Sequence, residues 1–278
     1  MRDEDRSAVV AFLEMRVETC VFLLSGLRAF GPRLGDSPLS GNFRVAEEHG
    51  RIVGVFCLTR KGDLLAETNG RADLADTVLH GCADEPVRIT GVIAEWTVAQ
   101  ALWRGITARP GFVPVYESES LVYRRTVAAE TVAAVPGLHV RRLVPDDFSV
   151  WDPIDRAFHR DEGLEVLPDE DRRRRAFDSR ASAGNWLGVF DGEQLVGTAC
   201  MNASYAGTGQ VGGVYTHPYY RRRGVARYAM HALVDDHRRH RDLRLVVLFA
   251  AARNRPARAL YESLGFEACG RFGLLFGK

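Results

Sequence analysis

Apolar and polar positions follow two kinds of spacing in the second half of the chain, and these spacings predict an ordered series of strands and helices. Short runs rich in β-branched residues predict strands, and apolar positions three or four apart predict amphipathic helices. Asp191-Gly192 between two such runs predicts a hairpin. The predicted elements are strand 138–143, helices 146–160 and 169–181, strands 185–190, 194–205 and 211–216, helix 225–239, strand 243–250, helix 255–264 and terminal strands around 266–276.

The first half repeats this order with weaker definition. His49-Gly50 predicts its hairpin, and the small residues of 130–137, closed by Pro136-Gly137, predict a linker. We therefore expect two α/β domains, 1–129 and 138–278, each a mixed, mostly antiparallel sheet flanked by helices. The elements predicted for the first half are helices 5–16 and 19–30, strands 42–48, 51–59 and 63–67, helix 74–81, strand 87–92, helix 95–104 and strand 115–124.

One connection between a strand and a helix carries a candidate ligand site. The strand 211–216 is followed by a proline and an arginine-rich turn, and a helix is predicted to start at Val225. The first turn of a helix has backbone N–H groups without partners and a partial positive charge. Gly224 lets a ligand approach the backbone closely. A phosphate or pyrophosphate is the expected occupant.

The turn contains Arg221, Gly224 and Ala226 in the spacing Arg-x-x-Gly-x-Ala. This resembles the acyl-CoA pyrophosphate loop of the GNAT superfamily of N-acyltransferases, whose signature is Gln/Arg-x-x-Gly-x-Gly/Ala. The segment from Asn254 to Phe266, with Tyr261 inside it, resembles the second half of the family signature. The element order from 138 to 278 is also that of a GNAT domain.

The resemblance implies acetyl-CoA as the acyl donor and assigns roles to individual residues. The strand before the loop would pair with the pantetheine arm and polarise the thioester carbonyl, and Asn254 would hydrogen-bond the same arm. Tyr261 would protonate the leaving thiolate as general acid, although a tyrosine on an amphipathic helix also fits plain packing. The implied donor-binding residues are Val214, Tyr215, Thr216, Arg221, Arg222, Arg223, Gly224, Val225, Ala226 and Asn254.

The general base is left open by the sequence. The strand 211–216 contains no carboxylate, and Tyr205, His217, Glu162 and Glu165 are candidates from neighbouring segments. The acidic segment 161–165 would attract a cationic amine, but it also fits a solvated loop.

The first half departs from the family signature at the corresponding loop. It carries Thr68-Asn69-Gly70-Arg71-Ala72-Asp73, which lacks the Arg-x-x-Gly-x-Ala spacing. Asp73 and Asp76 bring negative charge to a helix start that should receive a pyrophosphate. We expect the N-terminal domain to be a degenerate GNAT-like unit that binds no donor.

Composition narrows the class further. A net charge of +1 argues against a nucleic-acid or membrane-surface partner. There is no apolar run of transmembrane length, and residues 1–6 lack the apolar core of a signal peptide, so we expect a cytoplasmic protein. The near absence of lysine indicates a GC-rich bacterial source. Scattered cysteines and histidines predict buried reduced thiols and no metal site.

These observations predict an N-acetyltransferase that moves an acetyl group from acetyl-CoA to a primary amine of a small molecule or peptide by direct attack in a ternary complex. The alternative is a non-catalytic acyl-CoA-binding regulatory module. A third hypothesis gives the N-terminal domain an assembly role, in which it forms a dimer or covers the acceptor site.

Overall fold

The structure is a computed structural model that describes residues 5–130, 134–166 and 169–278, so residues 131–133 of the predicted linker lie outside the described residues. Contacts divide the chain into two compact units. The first contains the described residues up to Arg124, together with Phe249–Glu262 and Phe266–Lys278. The second contains the described residues of Arg125–Leu248 and Ser263–Gly265. The sequence predicted a single division at 130–137. The contacts instead place most of the residues after Leu248 in the first unit.

The first unit is a sheet with helices. Its elements before residue 127 follow the order predicted for the first half, and a helix and a strand from the C-terminal end are added to them. Its strand order is β1-β2-β3-β4-β11-β5, with β3 and β4 parallel. Helix α4 starts where the Glu95 carboxylate accepts hydrogen bonds from Thr97 N and Val98 N. The elements are α1 Arg6–Glu14, α2 Val17–Phe30, β1 Gly41–Glu48, β2 Arg51–Thr59, β3 Asp63–Glu67, α3 Ala75–Gly81, β4 Gly91–Glu95, α4 Trp96–Thr107, β5 Pro114–Thr126, α8 Arg255–Ser263 and β11 Glu267–Gly277.

The last strand, β11, lies between β4 and β5 and pairs antiparallel with both. The prediction of more than one terminal strand was wrong, because 267–277 form a single strand. The strand predicted at 87–92 begins only at Gly91. Ile89 packs into the core from the preceding loop, and Val87 packs against the same core, so their alternating spacing imitates a strand.

The second unit has the strand order β10-β9-β8-β7-β6, in which only β10 and β9 run parallel. The hairpin across Asp191-Gly192 is present, with Asp191 opposite Gln194. Helix α6 begins where the Asp169 carboxylate accepts a hydrogen bond from Arg172 N. The elements are β6 Leu138–Arg142, α5 Phe148–Glu162, α6 Glu170–Ser182, β7 Trp186–Asp191, β8 Gln194–Tyr205, β9 Thr208–Thr216, α7 Val225–Arg241 and β10 Leu245–Ala251.

Each unit has its own apolar core. In the second unit an aromatic group dominates it: Trp151 stacks on Phe177 at 4.5 Å and meets Trp186 edge-on at 5.5 Å. Four of the five cysteines are buried and free, as predicted, but Cys269 is exposed because the first residues of β11 are exposed. None of the described helices is long and apolar enough to cross a membrane.

Candidate functional site

The strand before the arginine-rich turn, β9, is irregular in its second half. Thr198 lies opposite Tyr215 and Cys200 opposite Gly212, so Gly213 and Val214 form a bulge. Gly213 has φ +58°, and a Cβ built there would lie 2.5 Å from Trp186, so the position requires glycine. The parallel ladder with β10 covers Thr208–Val211. In the described residues, the part of β9 after Val211 pairs with β8 but not with β10.

The carboxyl end of β9 has two polar atoms that need a partner. Within the described residues, Thr216 Oγ1 and His217 Nδ1 are buried and have no hydrogen-bond partner. Buried polar groups are nearly always satisfied in folded proteins. Both atoms belong to residues that directly precede the arginine-rich turn.

The connection from β9 to α7, residues 217–224, is called the arginine loop below. It begins with a short 3₁₀ turn, Pro218–Tyr220, and its last four residues are exposed. Arg222 (φ +63°) and Gly224 (φ +81°) are in the left-handed region, which costs a non-glycine residue energy and is typical of functional sites. Gly224 then starts the 17-residue helix α7, with Tyr228 N donating to Gly224 O.

The Arg221 side chain turns away from the tip of the arginine loop. Its Nη2 donates to Asp161 Oδ2 at 2.6 Å, and its Nε donates to Thr216 O at 3.3 Å. The Tyr215 hydroxyl donates to the same Asp161 oxygen at 3.1 Å. Burial and then the charge of Asp161 raise the pKa of Tyr215. Arg221 was predicted to bind the donor, and in the structure its guanidinium is committed to Asp161 and β9.

Comparison with known proteins connects part of the chain to a family. The model of the acetyltransferase (GNAT) family matches residues 151–266. This segment, less than half of the chain, is therefore similar to the acetyltransferases of the GNAT family. The family's reaction is acyl transfer. None of the curated proteins matches the chain significantly.

Solved structures show that the likeness in fold extends over nearly the whole chain. A GCN5-related N-acetyltransferase from Sphaerobacter thermophilus is 19% identical, with a TM-score of 0.57 over 94% of this chain and 91% of that chain. One from Kribbella flavida is 16% identical, with a TM-score of 0.58 and 94% coverage of both chains. A tandem GNAT protein from the clavulanic acid biosynthesis pathway is 17% identical, with a TM-score of 0.52 and 94% coverage of both. The predicted fold class is thereby confirmed.

The two remaining predicted residues of the GNAT site lie in the first unit. Asn254 caps α8, since its Oδ1 accepts a hydrogen bond from Ala257 N at 3.2 Å. Tyr261 is only 7% exposed, and its ring packs 6.1 Å from Tyr123 and 6.0 Å from Phe266. Capping and packing, the structural roles weighed from the sequence, are therefore both real for these residues.

The candidate bases are spread over several elements of the second unit. Tyr205 ends β8, Glu162 ends α5 and Glu165 is exposed in the loop after it, while His217 contributes the unpartnered Nδ1 described above. Among the described residues, no group of three or more His, Cys, Asp or Glu side chains could hold a metal ion.

A further titratable pair on α5 was not singled out from the sequence. His159 Nδ1 lies 2.8 Å from Asp155 O and 3.3 Å from Asp155 Oδ2. Burial lowers the pKa of His159, but the hydrogen bond and charge of Asp155 outweigh it, and the net shift is upward. His240 and Asp236 repeat this arrangement on α7. It is thus a property of helix geometry and does not by itself identify a base.

The first unit closes its corresponding connection with its own hydrogen bonds. Thr68 Oγ1 donates to Arg71 O, and Arg71 N donates back to Thr68 O, both at 3.0 Å. The buried Glu67 carboxylate accepts from Asn69 N at 2.7 Å. Arg71 pairs with Glu48 and Asp73. This connection, residues 68–74, is called the Asn69 loop below.

Proposed function

We propose that the protein is an acetyl-CoA-dependent N-acetyltransferase that acetylates a primary amine of a small molecule or peptide. The observation that carries the proposal is the arginine loop, in which a left-handed Gly224 starts a long helix directly after a bulged strand. That combination supplies unpartnered N–H groups and positive potential where a pyrophosphate would bind.

In this proposal the pyrophosphate of the donor binds the backbone N–H groups of residues 222–226. The exposed side chains of Arg222 and Arg223 add positive charge around the phosphates. The pyrophosphate has room to approach the backbone at Gly224, because a Cβ built there would have Val135 as its nearest neighbour, at 3.6 Å.

The strand β9 would hold the thioester. Val214 belongs to the bulge. Tyr215 and Thr216 follow it and pair again with β8, while the parallel ladder with β10 ends at Val211. The N–H of Val214 is our candidate for the donor that polarises the thioester carbonyl and stabilises the tetrahedral oxyanion. The unpartnered Thr216 Oγ1 and His217 Nδ1 support a ligand at this end of the strand.

The reaction needs a neutral amine nitrogen to attack the thioester carbonyl carbon. The C–S bond then breaks, the amine loses its extra proton to a base, and the thiolate takes up a proton. We propose Tyr261 as the residue that donates this proton, and Asn254 as a hydrogen-bonding partner of the pantetheine arm, as the family resemblance implies. Direct attack in a ternary complex requires only that both substrates are positioned together.

We further propose that the catalytic residues lie within 138–278, a segment that contacts divide between the two units, and that 1–129 is a degenerate segment without a donor site. The self-contained hydrogen bonding of the Asn69 loop supports this division. Asp73 lies in the first turn of its short helical segment and Asp76 in that of α3, and both disfavour an anion.

The test is steady-state release of free CoA from acetyl-CoA in the presence of a panel of primary amines. We expect turnover with at least one class of amine and a lower kcat, with unchanged acetyl-CoA binding, in Y261F. The matched control is Y116F, which removes the hydroxyl of a tyrosine stacked on Phe276 in the same unit. Tight acetyl-CoA binding without turnover for any amine would instead identify a binding module. No binding of acetyl-CoA at all would refute both.

A further inference from the structure

Asp161 connects three elements of the second unit through one carboxylate oxygen. Its Oδ2 accepts from Arg221 Nη2 at 2.6 Å and from the Tyr215 hydroxyl at 3.1 Å, and Arg221 Nη2 lies 3.4 Å from that hydroxyl. Asp161 belongs to the last turn of α5, Tyr215 to β9 and Arg221 to the arginine loop. The three side chains therefore form a closed triangle.

One corner of the triangle is fixed by the core. Tyr215 is only 7% exposed, and its ring meets Phe158 of α5 edge-on at 6.2 Å. The hydroxyl thus has a defined position, and the carboxylate of Asp161 is held against it. The Arg221 guanidinium, 5.6 Å from the centre of the same ring, is positioned by both groups.

The opposite end of the triangle leads into the candidate donor site. Arg221 Nε donates to Thr216 O, so the side chain ties the loop to the end of β9. The next residue, Arg222, is the first of the two left-handed residues that shape the turn. Fixing Arg221 therefore fixes the start of the turn whose N–H groups would bind the pyrophosphate.

We propose that Asp161 is a positioning residue of the arginine loop, acting through Arg221 and Tyr215, and that Arg221 itself holds the loop rather than the phosphates. This inference rests on the proposed function of the loop. It also gives the acidic end of α5 a role other than attraction of a cationic acceptor amine.

An electrostatic role and a positioning role of Asp161 predict opposite changes in the affinity for a phosphate ligand when this carboxylate is removed. Asp161 is a negative charge close to a candidate anion site, so its neutralisation should strengthen binding of a phosphate ligand if charge alone matters. If Asp161 positions the loop, the same change should weaken binding. Because both side chains of the ion pair are about half exposed, the effect is modest.

The experiment measures CoA binding to the full-length protein by calorimetry for the wild type, D161N, R221Q and the double variant. We expect D161N and R221Q each to weaken binding about three- to tenfold, since a contact of this kind contributes up to roughly one power of ten. The double variant should bind CoA no more weakly than the weaker-binding single variant, because both changes remove the same contact. In D161N the KM for acetyl-CoA should rise by a larger factor than kcat falls, because the loop binds the donor and does not take part in the chemical step.

Two further variants guard the interpretation. D235N removes an ion pair with Arg238 on the later part of α7 and should leave CoA binding unchanged. Y215F removes the second donor to Asp161 and should weaken binding in the same direction as D161N, which keeps the test valid if D161N does not fold. Unchanged or tighter binding in D161N, or additive losses in the double variant, overturns the inference. A wild type that does not bind CoA overturns the proposed function and this inference with it.

Discussion

The arginine loop and the Asn69 loop connect a strand to a helix at corresponding places in two units of similar element order. In the Asn69 loop the turn is closed by hydrogen bonds between Thr68 and Arg71, and the arginine is held by Glu48 and Asp73. In the arginine loop the turn leads into α7 through Gly224 with two exposed arginines beside it. Element order alone therefore does not make an anion site, because binding an anion also requires free N–H groups and positive local charge.

The first unit takes the strand β11 from the C-terminal end of the chain, and separating this strand from its partner strands gives the largest expected effect. β11 pairs with β4 and β5, and all of β4 and β5 precede residue 127. A chain that begins at Val135 leaves Phe272 and Leu275 of β11, now buried, without their partner strands. We expect this fragment to be insoluble in expression trials, and co-expression of residues 1–134 to restore a soluble complex. A soluble, fully active fragment would contradict this assignment of β11.

Charge reversal at the tip of the arginine loop is the next test. We expect R222E/R223E to weaken acetyl-CoA binding by roughly tenfold to a hundredfold, because two screened attractive charges become repulsive. The loss should shrink at high salt. Charge reversal of Arg71 in the Asn69 loop breaks its pairs with Glu48 and Asp73 but should leave acetyl-CoA binding unchanged. Equal effects at the two loops would remove the distinction between them.

A matched pair of glycines tests the backbone itself. Gly224 and Gly70 have similar positive φ values, +81° and +73°, and a Cβ built at either site meets no atom closer than 3.6 Å. Alanine in this conformation costs about 1–2 kcal/mol at both positions, so thermal unfolding should show similar losses of stability. Only G224A should also weaken acetyl-CoA binding, by about tenfold if the strain displaces the turn. A similar loss of binding in G70A would contradict the account.

The smallest expected effect is a pH dependence of the second unit. His237 is 1% exposed, and burial lowers its pKa below the ordinary value near 6.5. The unfolded chain therefore binds this proton more readily, and stability contributed by the neutral form is lost as the pH falls below about 6.5. The protection factors of the α7 amides, which correct for the intrinsic pH dependence of exchange, should fall between pH 7 and pH 5. H237N should flatten this change, and H240N, at an exposed site, should not.

Local signals predicted much of the fold. The hairpin at Asp191-Gly192, the bounds of β8 and the start of α7 at Val225 follow from turn residues and periodicity within a few positions of each element. The family signature in the arginine loop led to the GNAT family for the same reason, since its residues are adjacent in sequence.

The features that escaped prediction depend on distant pairing. Nothing near Phe272 indicates that β11 joins strands from the first half of the chain, because its apolar pattern fits any sheet. The contact between Asp161 and Arg221 joins residues 60 positions apart. Tyr261 could be placed on a helix from its spacing, but its contact with Tyr123 could not. Such pairings are fixed by tertiary packing, which periodicity does not record.

The most direct test of the central claim is a crystal structure of the full-length protein with CoA bound. We expect the pyrophosphate to lie on the backbone N–H groups of residues 222–226 in the arginine loop, with Arg221 still paired to Asp161. A pyrophosphate bound at residues 69–72 of the Asn69 loop would contradict it.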